Sequence, residues 1–134
     1  MAETKIKSAD PALIASLAHF SAAAWLFAGP LAMIAPLLIW LIQREKENPN
    51  QLIIFHGRQA FVYQLVCLIA GGVLGMLAAA LSAIFIGIIL IPVLVLAGLA
   101  AFAYGIYGGV QVYQGKNFRY IYIADFLEAG EKSK

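Results

Sequence analysis

Two long stretches without a charged side chain determine what this chain can fold into. Residues 11–43 and 59–115 contain no Asp, Glu, Lys or Arg, and every charged residue lies in 1–10, 44–58 or 116–134. The hydrocarbon core of a bilayer is crossed by about 20 apolar residues in a helix. The first stretch therefore has room for one or two crossings and the second for two. This pattern predicts an integral membrane protein.

The composition supports that prediction and excludes several other classes. Hydrophobic residues make up 63% of the chain, whereas soluble domains have about 45–50%. A net charge of +2 is too small to predict nucleic-acid binding. The single cysteine, Cys67, lies inside the second apolar stretch and cannot form a disulfide framework or a metal cluster. We expect one membrane domain over 1–134.

The basic residues indicate how the chain is oriented. If both uncharged stretches cross twice, all nine Lys and Arg lie on one side, which the positive-inside tendency makes the cytoplasm. A single crossing by 11–43 would place Lys5 and Lys7 opposite Arg44, and a straight helix of that length would measure about 50 Å. Gly29-Pro30 supplies a break. We predict the inner (plasma) membrane, with both termini in the cytoplasm.

These arguments predict an all-α membrane protein with four transmembrane helices arranged as two hairpins, and a short interfacial helix at the C-terminus. The expected helices are about 11–28, 31–43, 55–81 and 91–114, and the interfacial segment is 117–128. The second helix would be only about 20 Å long and contains Pro36. It is therefore either a short pass or a re-entrant leg.

The N-terminus also resembles a cleavable signal peptide, because Lys5 and Lys7 precede an apolar run that contains small residues at 22–24. Glu3 and His19 do not fit such a segment. We expect the N-terminus to be retained.

Small residues at four-residue spacing mark the faces through which membrane helices approach each other, since lipid tails are as apolar as leucine and do not drive helices together. Helix three carries one such ridge and helix four another. Their members are Cys67, Gly71, Gly75 and Ala79 on helix three, and Ala97, Ala101, Gly105 and Gly109 on helix four. We predict that the two ridges pack on each other; alternatively, one of them forms a homodimer interface.

Polar side chains gather near the predicted cytoplasmic surface. We predict a polar cap that bonds helix three to the C-terminal segment, formed by His56, Arg58, Gln59, Gln64, Arg119 and Tyr120. Polar residues within the membrane are His19, Tyr104, Tyr107 and Gln111. An ionisable residue such as His19 raises a functional hypothesis, but we favour a neutral histidine bonded to a neighbouring helix.

The sequence offers little for catalysis. Two histidines and one cysteine, with no acidic residue in the uncharged stretches, provide no metal site of three or four ligands. His19 and Ser21 form a pair without a third member. We therefore expect no enzyme, no catalytic residue, no metal and no cofactor.

Two motifs carry a family resemblance that covers the chain from "LAHFSA" to Phe126. "HGRQAFVYQ" follows "LIWLIQREKENP", and "GKNFRY" comes about fifty residues later. They resemble a family of small bacterial membrane proteins catalogued as a domain of unknown function. This family is distantly similar to the small multi-spanning subunit of the chloroplast inner-envelope protein translocon.

The match to that family is partial. The residues that fit its motifs are His56, Arg58, Gln59, Ala60 and Gln64, then Gly115, Phe118, Arg119 and Tyr120. Val62, Ile121 and Asp125 stand where the family usually has Asn, Pro and Arg. The resemblance implies a helical-hairpin membrane protein and assigns no reaction.

These observations favour a non-enzymatic accessory or scaffolding subunit of a membrane assembly. The alternative is a transport component, either a small-solute channel or part of a protein-translocation pore. The expected partners are membrane lipids and other membrane-protein subunits or further copies of the chain, and no nucleic acid.

Overall fold

The computed structural model describes residues 10–132, and within this range it contains helices and no strand. Lys5 and Lys7, on which the orientation prediction depends, lie outside the described residues. The α-helices are α1 (Pro11–Phe20), α2 (Trp25–Ala28), α3 (Ile34–Arg44), α4 (Gln51–Leu81), α5 (Ile86–Tyr113) and α6 (Ile123–Lys132). Short 3₁₀ segments connect some of them at Ser21–Ala24, Gly29–Met33 and Ser82–Ile84. The predicted all-α class is confirmed for this part of the chain.

Three helical runs in the described range are long and apolar enough to cross a membrane. They are Pro11–Arg44, Gln51–Ile84 and Ile86–Tyr113. Their mean hydropathies are 2.1, 2.3 and 2.7, in that order, and their outer surfaces expose many large apolar side chains. This combination is that of a membrane protein.

The first run folds back on itself at Gly29. This residue has φ +55° and ψ −137°, a backbone conformation that glycine adopts readily. α1 contacts α3 directly, which a straight helix of about 50 Å over the same residues could not allow. The expected break at Gly29-Pro30 is therefore present, and residues 11–44 form two legs.

The long helices begin earlier than the sequence predicts. α4 begins at Gln51 because the side chain of Asn50 accepts hydrogen bonds from the backbone N–H groups of Leu52 and Ile53, at 3.0 and 3.4 Å. The turn after α4 takes only residues 82–85 and ends with Phe85, at φ +65°, so that α5 begins at Ile86. In contrast, α6 starts later than the predicted interfacial segment at 117–128.

The two legs of the first run pack beside only one half of the α4–α5 hairpin. The indole Nε1 of Trp25 donates to Gln64 Oε1 at 2.9 Å, which fixes the relative height of the first leg and α4. Gly29 lies about 6 Å beyond Trp25, whereas α4 continues for about 25 Å beyond Gln64. The hairpin therefore extends roughly 20 Å past the Gly29 turn, and every residue from 69 to 77 is exposed.

Gly87 marks the closest approach of α4 and α5 at their connected ends. A Cβ atom placed on Gly87 would lie 2.0 Å from the backbone oxygen of Ala78 and 2.4 Å from Ser82 Oγ. Ser82 Oγ itself donates to Ala78 O at 2.8 Å. The tight turn between the helices depends on the missing side chain.

We predict that Gly87→Ala lowers the free energy of unfolding by about 1–3 kcal/mol, because the new methyl group forces two backbones apart. The measurement is the thermal unfolding midpoint of the purified chain in detergent. Gly98→Ala is the matched control, since no atom lies within 4 Å of its Cβ position. It should leave the midpoint unchanged or raise it, and equal losses in both variants would contradict the prediction.

Candidate functional site

A chain of hydrogen bonds through His19 connects three separate parts of the sequence. His19 Nδ1 bonds to the phenol oxygen of Tyr120 at 3.0 Å, and His19 Nε2 bonds to His56 Nδ1 at 3.2 Å. Both histidines are completely buried and Tyr120 is 2% exposed. The contact therefore joins α1, α4 and the segment between α5 and α6 inside the protein.

The local sequence explains why these side chains face inward. Ala15 and Ala18 are buried on the same side of α1 as His19. Their small side chains allow this face of α1 to pack closely against neighbouring helices. On α4, Ile53 and Ala60 flank His56 at helical spacing and are also buried. Each histidine is thus the polar centre of an apolar or small-residue stripe.

Gln59 attaches the segment before α6 to α4 through both ends of its amide. Its Nε2 donates to the backbone oxygen of Phe118 at 3.1 Å, and its Oε1 accepts from the backbone N–H of Tyr120 at 2.9 Å. Gln59 is completely buried. The amide therefore provides hydrogen-bond partners for two backbone groups that lie outside any helix. Backbone groups need such partners when an irregular segment is buried.

Aromatic rings surround these hydrogen bonds. Tyr63 and Tyr120 stack with ring centroids 3.9 Å apart and planes 4° from parallel. Tyr104 meets both rings edge-on, at 5.9 and 5.4 Å, and Phe118 meets Tyr120 edge-on at 4.9 Å. Burial raises the pKa of Tyr120 above its usual range, so this phenol stays protonated.

A second polar contact lies closer to the Gly29 turn. Gln64 accepts a hydrogen bond from Trp25 Nε1 at 2.9 Å and donates to Ser21 Oγ at 2.8 Å. Ser21 lies in the 3₁₀ segment after α1 and Trp25 begins α2, so Gln64 ties this part of the first leg to α4.

His19, His56, Gln59 and Tyr120 form one buried cluster, and two arginines bind α6 at its edge. Arg58 Nη1 pairs with Glu131 Oε1 at 2.6 Å, and Arg119 pairs with Asp125 Oδ1 at 2.7 Å and with Glu128. The hydrogen bond from Arg119 lowers the pKa of the Glu128 carboxyl. α6 is therefore held by charged contacts as well as by its short connection to Tyr120.

The structure brings most of the predicted cap residues together. His56, Gln59 and Tyr120 meet in the buried cluster, while Arg58 and Arg119 lie at its edge. Gln64 lies about two turns farther along α4 and bonds to the first leg instead of to the C-terminal segment.

The predicted intramembrane polar residues separate into two groups. His19 is at the centre of the cluster, and Tyr104 is part of its aromatic wall. Tyr107 is 52% exposed and touches Phe118 edge-on, and Gln111 is half-buried. Sequence reasoning missed the pairing of His19 with His56, because His19 lies alone in an apolar stretch and His56 lies in a polar cluster 37 residues away.

The small-residue ridges do not pack as predicted. A Cβ on Gly109 would lie 2.6 Å from the ring of Phe20, and one on Gly105 would lie 3.2 Å from Ala22 Cβ. For Gly71 and Gly75, no atom of the described residues lies within 4 Å of that position. Gly105 and Gly109 of the α5 ridge therefore pack against the first leg and not against the α4 ridge, because that leg occupies the space beside α5. Of the other ridge members, Cys67 and Ala101 are half-buried, and Ala79 and Ala97 are exposed.

We predict that Gln59→Met detaches the segment around Phe118 from α4, because it leaves two buried backbone groups unpaired at about 1–3 kcal/mol each. Limited trypsin digestion in detergent should then cut faster after Lys116 and Arg119. Gln114→Met, at an exposed position near the end of α5, is the control and should digest like the unmodified chain. Equal digestion rates for all three proteins would disprove the role of Gln59.

Comparison with known proteins identifies a family for this architecture. Residues 10–127 match the magnetosome magnetite crystal formation protein family, also called MamF/MmsF. No curated protein matches the chain, and no solved structure does. The match gives no support to a similarity with the chloroplast translocon subunit. It extends from the start of α1 into α6 and includes the whole buried cluster. The chain therefore belongs to the magnetosome magnetite crystal formation protein family and is a membrane protein of a family involved in magnetosome formation.

Proposed function

We propose that the chain is a non-enzymatic accessory or scaffolding subunit of a magnetosome membrane assembly in which magnetite crystals form. The observation that carries this proposal is the use of its buried polar side chains. His19, His56 and Gln59 bond to other parts of the same chain, and all three are completely buried. Such a cluster gives the protein a fixed shape that other subunits can bind.

The distribution of polar residues favours a scaffold over a pore within one chain. A pore needs polar side chains along a continuous path through the membrane. Between residues 65 and 103 the sequence offers little beyond Ser82, and the hydroxyl of Ser82 is bonded to Ala78 O. The polar side chains of the membrane region are concentrated at one end of the bundle.

We infer that α4 and α5 cross the membrane and that the two legs of residues 11–44 enter it only partway. The α4–α5 hairpin extends roughly 20 Å past Gly29, and the hydrocarbon core is about 30 Å thick. If Arg58 marks the cytoplasmic boundary, the Gly29 turn lies near the middle of the core. Non-helical backbone is tolerated at that depth where protein packs around it. Both termini remain in the cytoplasm, and α6 lies at the interface.

A transport component is the second candidate, assembled between several copies of the chain. Gly71 and Gly75 support it, because their faces are open to close approach by another helix. A pathway of this kind would run between chains.

Gentle detergent extraction of magnetosome membranes distinguishes the two proposals. Native mass measurement and identification of co-migrating proteins should reveal a partner in fixed ratio to the chain. The Gln59→Met variant should lose that partner, and Gln114→Met should keep it. A pure homo-oligomer that conducts ions in reconstituted bilayers would overturn the scaffold and favour transport.

We predict that maleimide labelling of single cysteines will show that the first run enters the membrane only partway. In a Cys67→Ala background, a membrane-impermeant maleimide should label Glu47→Cys from the cytoplasmic side and Ile84→Cys from the opposite side. Leu31→Cys, next to the Gly29 turn, should be labelled from neither side. Labelling of Leu31→Cys from the same side as Ile84→Cys would instead show that the first run crosses completely.

A further inference from the structure

The seam between α4 and α5, on the side that receives the first leg, has a filled half and an open half. In the filled half, Ala22 of the first leg lies against Gly105 of α5, and Gln64 of α4 bonds to the same leg. The Gly29 turn lies about 10 Å beyond Ala22 along the seam. The first leg ends at this turn, whereas α4 and α5 continue past it.

The open half of the seam contains a cavity of about 320 Å³. This volume is in the lower part of the range of small-molecule sites, about 300–1,000 Å³. The residues that line the cavity are Gly75, Ala78 and Ala79 from α4, and Ile91, Leu94 and Val95 from α5. None of these side chains can form a hydrogen bond, so the cavity suits an apolar ligand.

Helical spacing places this cavity on the same faces that receive the first leg. Residues 71, 75 and 78 follow Gln64 by 7, 11 and 14 positions, and residues 98, 94 and 91 precede Gly105 by the same intervals. Residues at these intervals share one face of a helix. The cavity is therefore continuous with an interface that already exists within the chain, and its occupant lies end to end with the first leg.

The depth of the open half is close to that of one bilayer leaflet. The α4–α5 hairpin extends roughly 20 Å past the turn, and half of a hydrocarbon core is about 15 Å thick. The side chains around the turn, Leu26, Phe27 and Leu31, are 70%, 93% and 68% exposed, so the inner end of the open half is also apolar. The first leg prevents a helix of another subunit from following the seam through the whole membrane. An acyl chain that enters from the far leaflet needs only the open half.

We propose that the open half of the seam holds one acyl chain of a lipid from the leaflet opposite Arg58, with the end of the chain against the Gly29 turn. This inference rests on the partial entry of the first run proposed above. Residues 59–115 carry no charged side chain, so the connected ends of α4 and α5 offer no charge to a headgroup. The site therefore selects lipids by chain length and not by headgroup charge, because a chain longer than the groove has to bend away at the turn.

The test is native mass spectrometry of the full chain purified in detergent, with two phosphatidylcholines that carry one double bond in each chain. Dipalmitoleoyl chains are about as long as the groove, and dierucoyl chains are longer. The protein should retain one dipalmitoleoyl lipid about tenfold more tightly than the dierucoyl lipid. It should retain dipalmitoleoyl phosphatidylglycerol as tightly as the matching phosphatidylcholine. Equal retention of both chain lengths would overturn the proposal, and so would a preference for phosphatidylglycerol.

Two variants at adjacent exposed positions of α4 assign the binding to this cavity. Ala79 lines the cavity, whereas Ala80 points about 100° away around the helix. In Ala79→Leu the larger side chain occupies the cavity, so retention of the dipalmitoleoyl lipid should fall about tenfold and the length preference should disappear. Ala80→Leu should bind lipid like the unmodified chain. The same loss in both variants would contradict the assignment. A lipid-free dimer that Ala79→Leu dissociates would show that a second copy fills the seam instead.

Cysteine labelling separates a failure of this inference from a failure of the proposed membrane arrangement. If Leu31→Cys is protected from both sides and the two chain lengths are retained equally, only the lipid site is disproved. If Leu31→Cys is labelled from the far side, the first run crosses the membrane completely, and the assignment of the lipid to one leaflet is wrong as well.

Discussion

The bond between the Gln59 amide and the backbone of residues 118–120 is the constraint on which the rest of the structure depends. Inside a membrane protein, every backbone group away from water needs a partner. The segment after α5 is not helical, and Gln59 supplies both a donor and an acceptor for it. This places Tyr120 where it can reach His19 and stack on Tyr63. α1, α4, α5 and the start of α6 are thereby held around one point.

Close approach by small residues makes this arrangement possible at one end of the molecule only. Gly105 and Gly109 on α5 receive Ala22 and Phe20 from the first leg, and Gly57 on α4 receives Trp40 from the second leg. Beyond the Gly29 turn, Gly71 and Gly75 have no neighbouring atom within 4 Å among residues 10–132, and Gly87 meets only the connected end of α4 and the turn after it. The molecule therefore has a rigid, polar-cored half and a slender half whose surface is available to lipid or to other proteins, which suits a subunit of a membrane assembly.

The sequence predicts local features well and long-range pairing poorly. The uncharged stretches indicate the membrane class, and Gly29-Pro30 indicates the break, because hydropathy and backbone preference act locally. A small-residue ridge reveals a face suited to packing but not its partner. The sequence therefore pairs the α5 ridge with α4, whereas Gly105 and Gly109 of that ridge pack on the first leg. Similarly, nothing near His19 in the sequence shows that His56 would face it. The sequence does not predict the left-handed backbone of Phe85, because that conformation is adopted mainly by glycine.

The hydrogen-bonded chain from Tyr120 through His19 to His56 has a direction that can be reversed. In one arrangement the phenol donates to His19, His19 donates to His56, and the buried Nε2 of His56 carries a hydrogen. In the other, each histidine is the opposite tautomer, and the same Nε2 presents a lone pair. Both arrangements are neutral and use the same heavy-atom positions. The two arrangements differ in the role of His56 Nε2, which donates in the first and accepts in the second. Converting one into the other requires one proton to reach the Tyr120 oxygen and one proton to leave His56 Nε2, and it requires no movement of a helix.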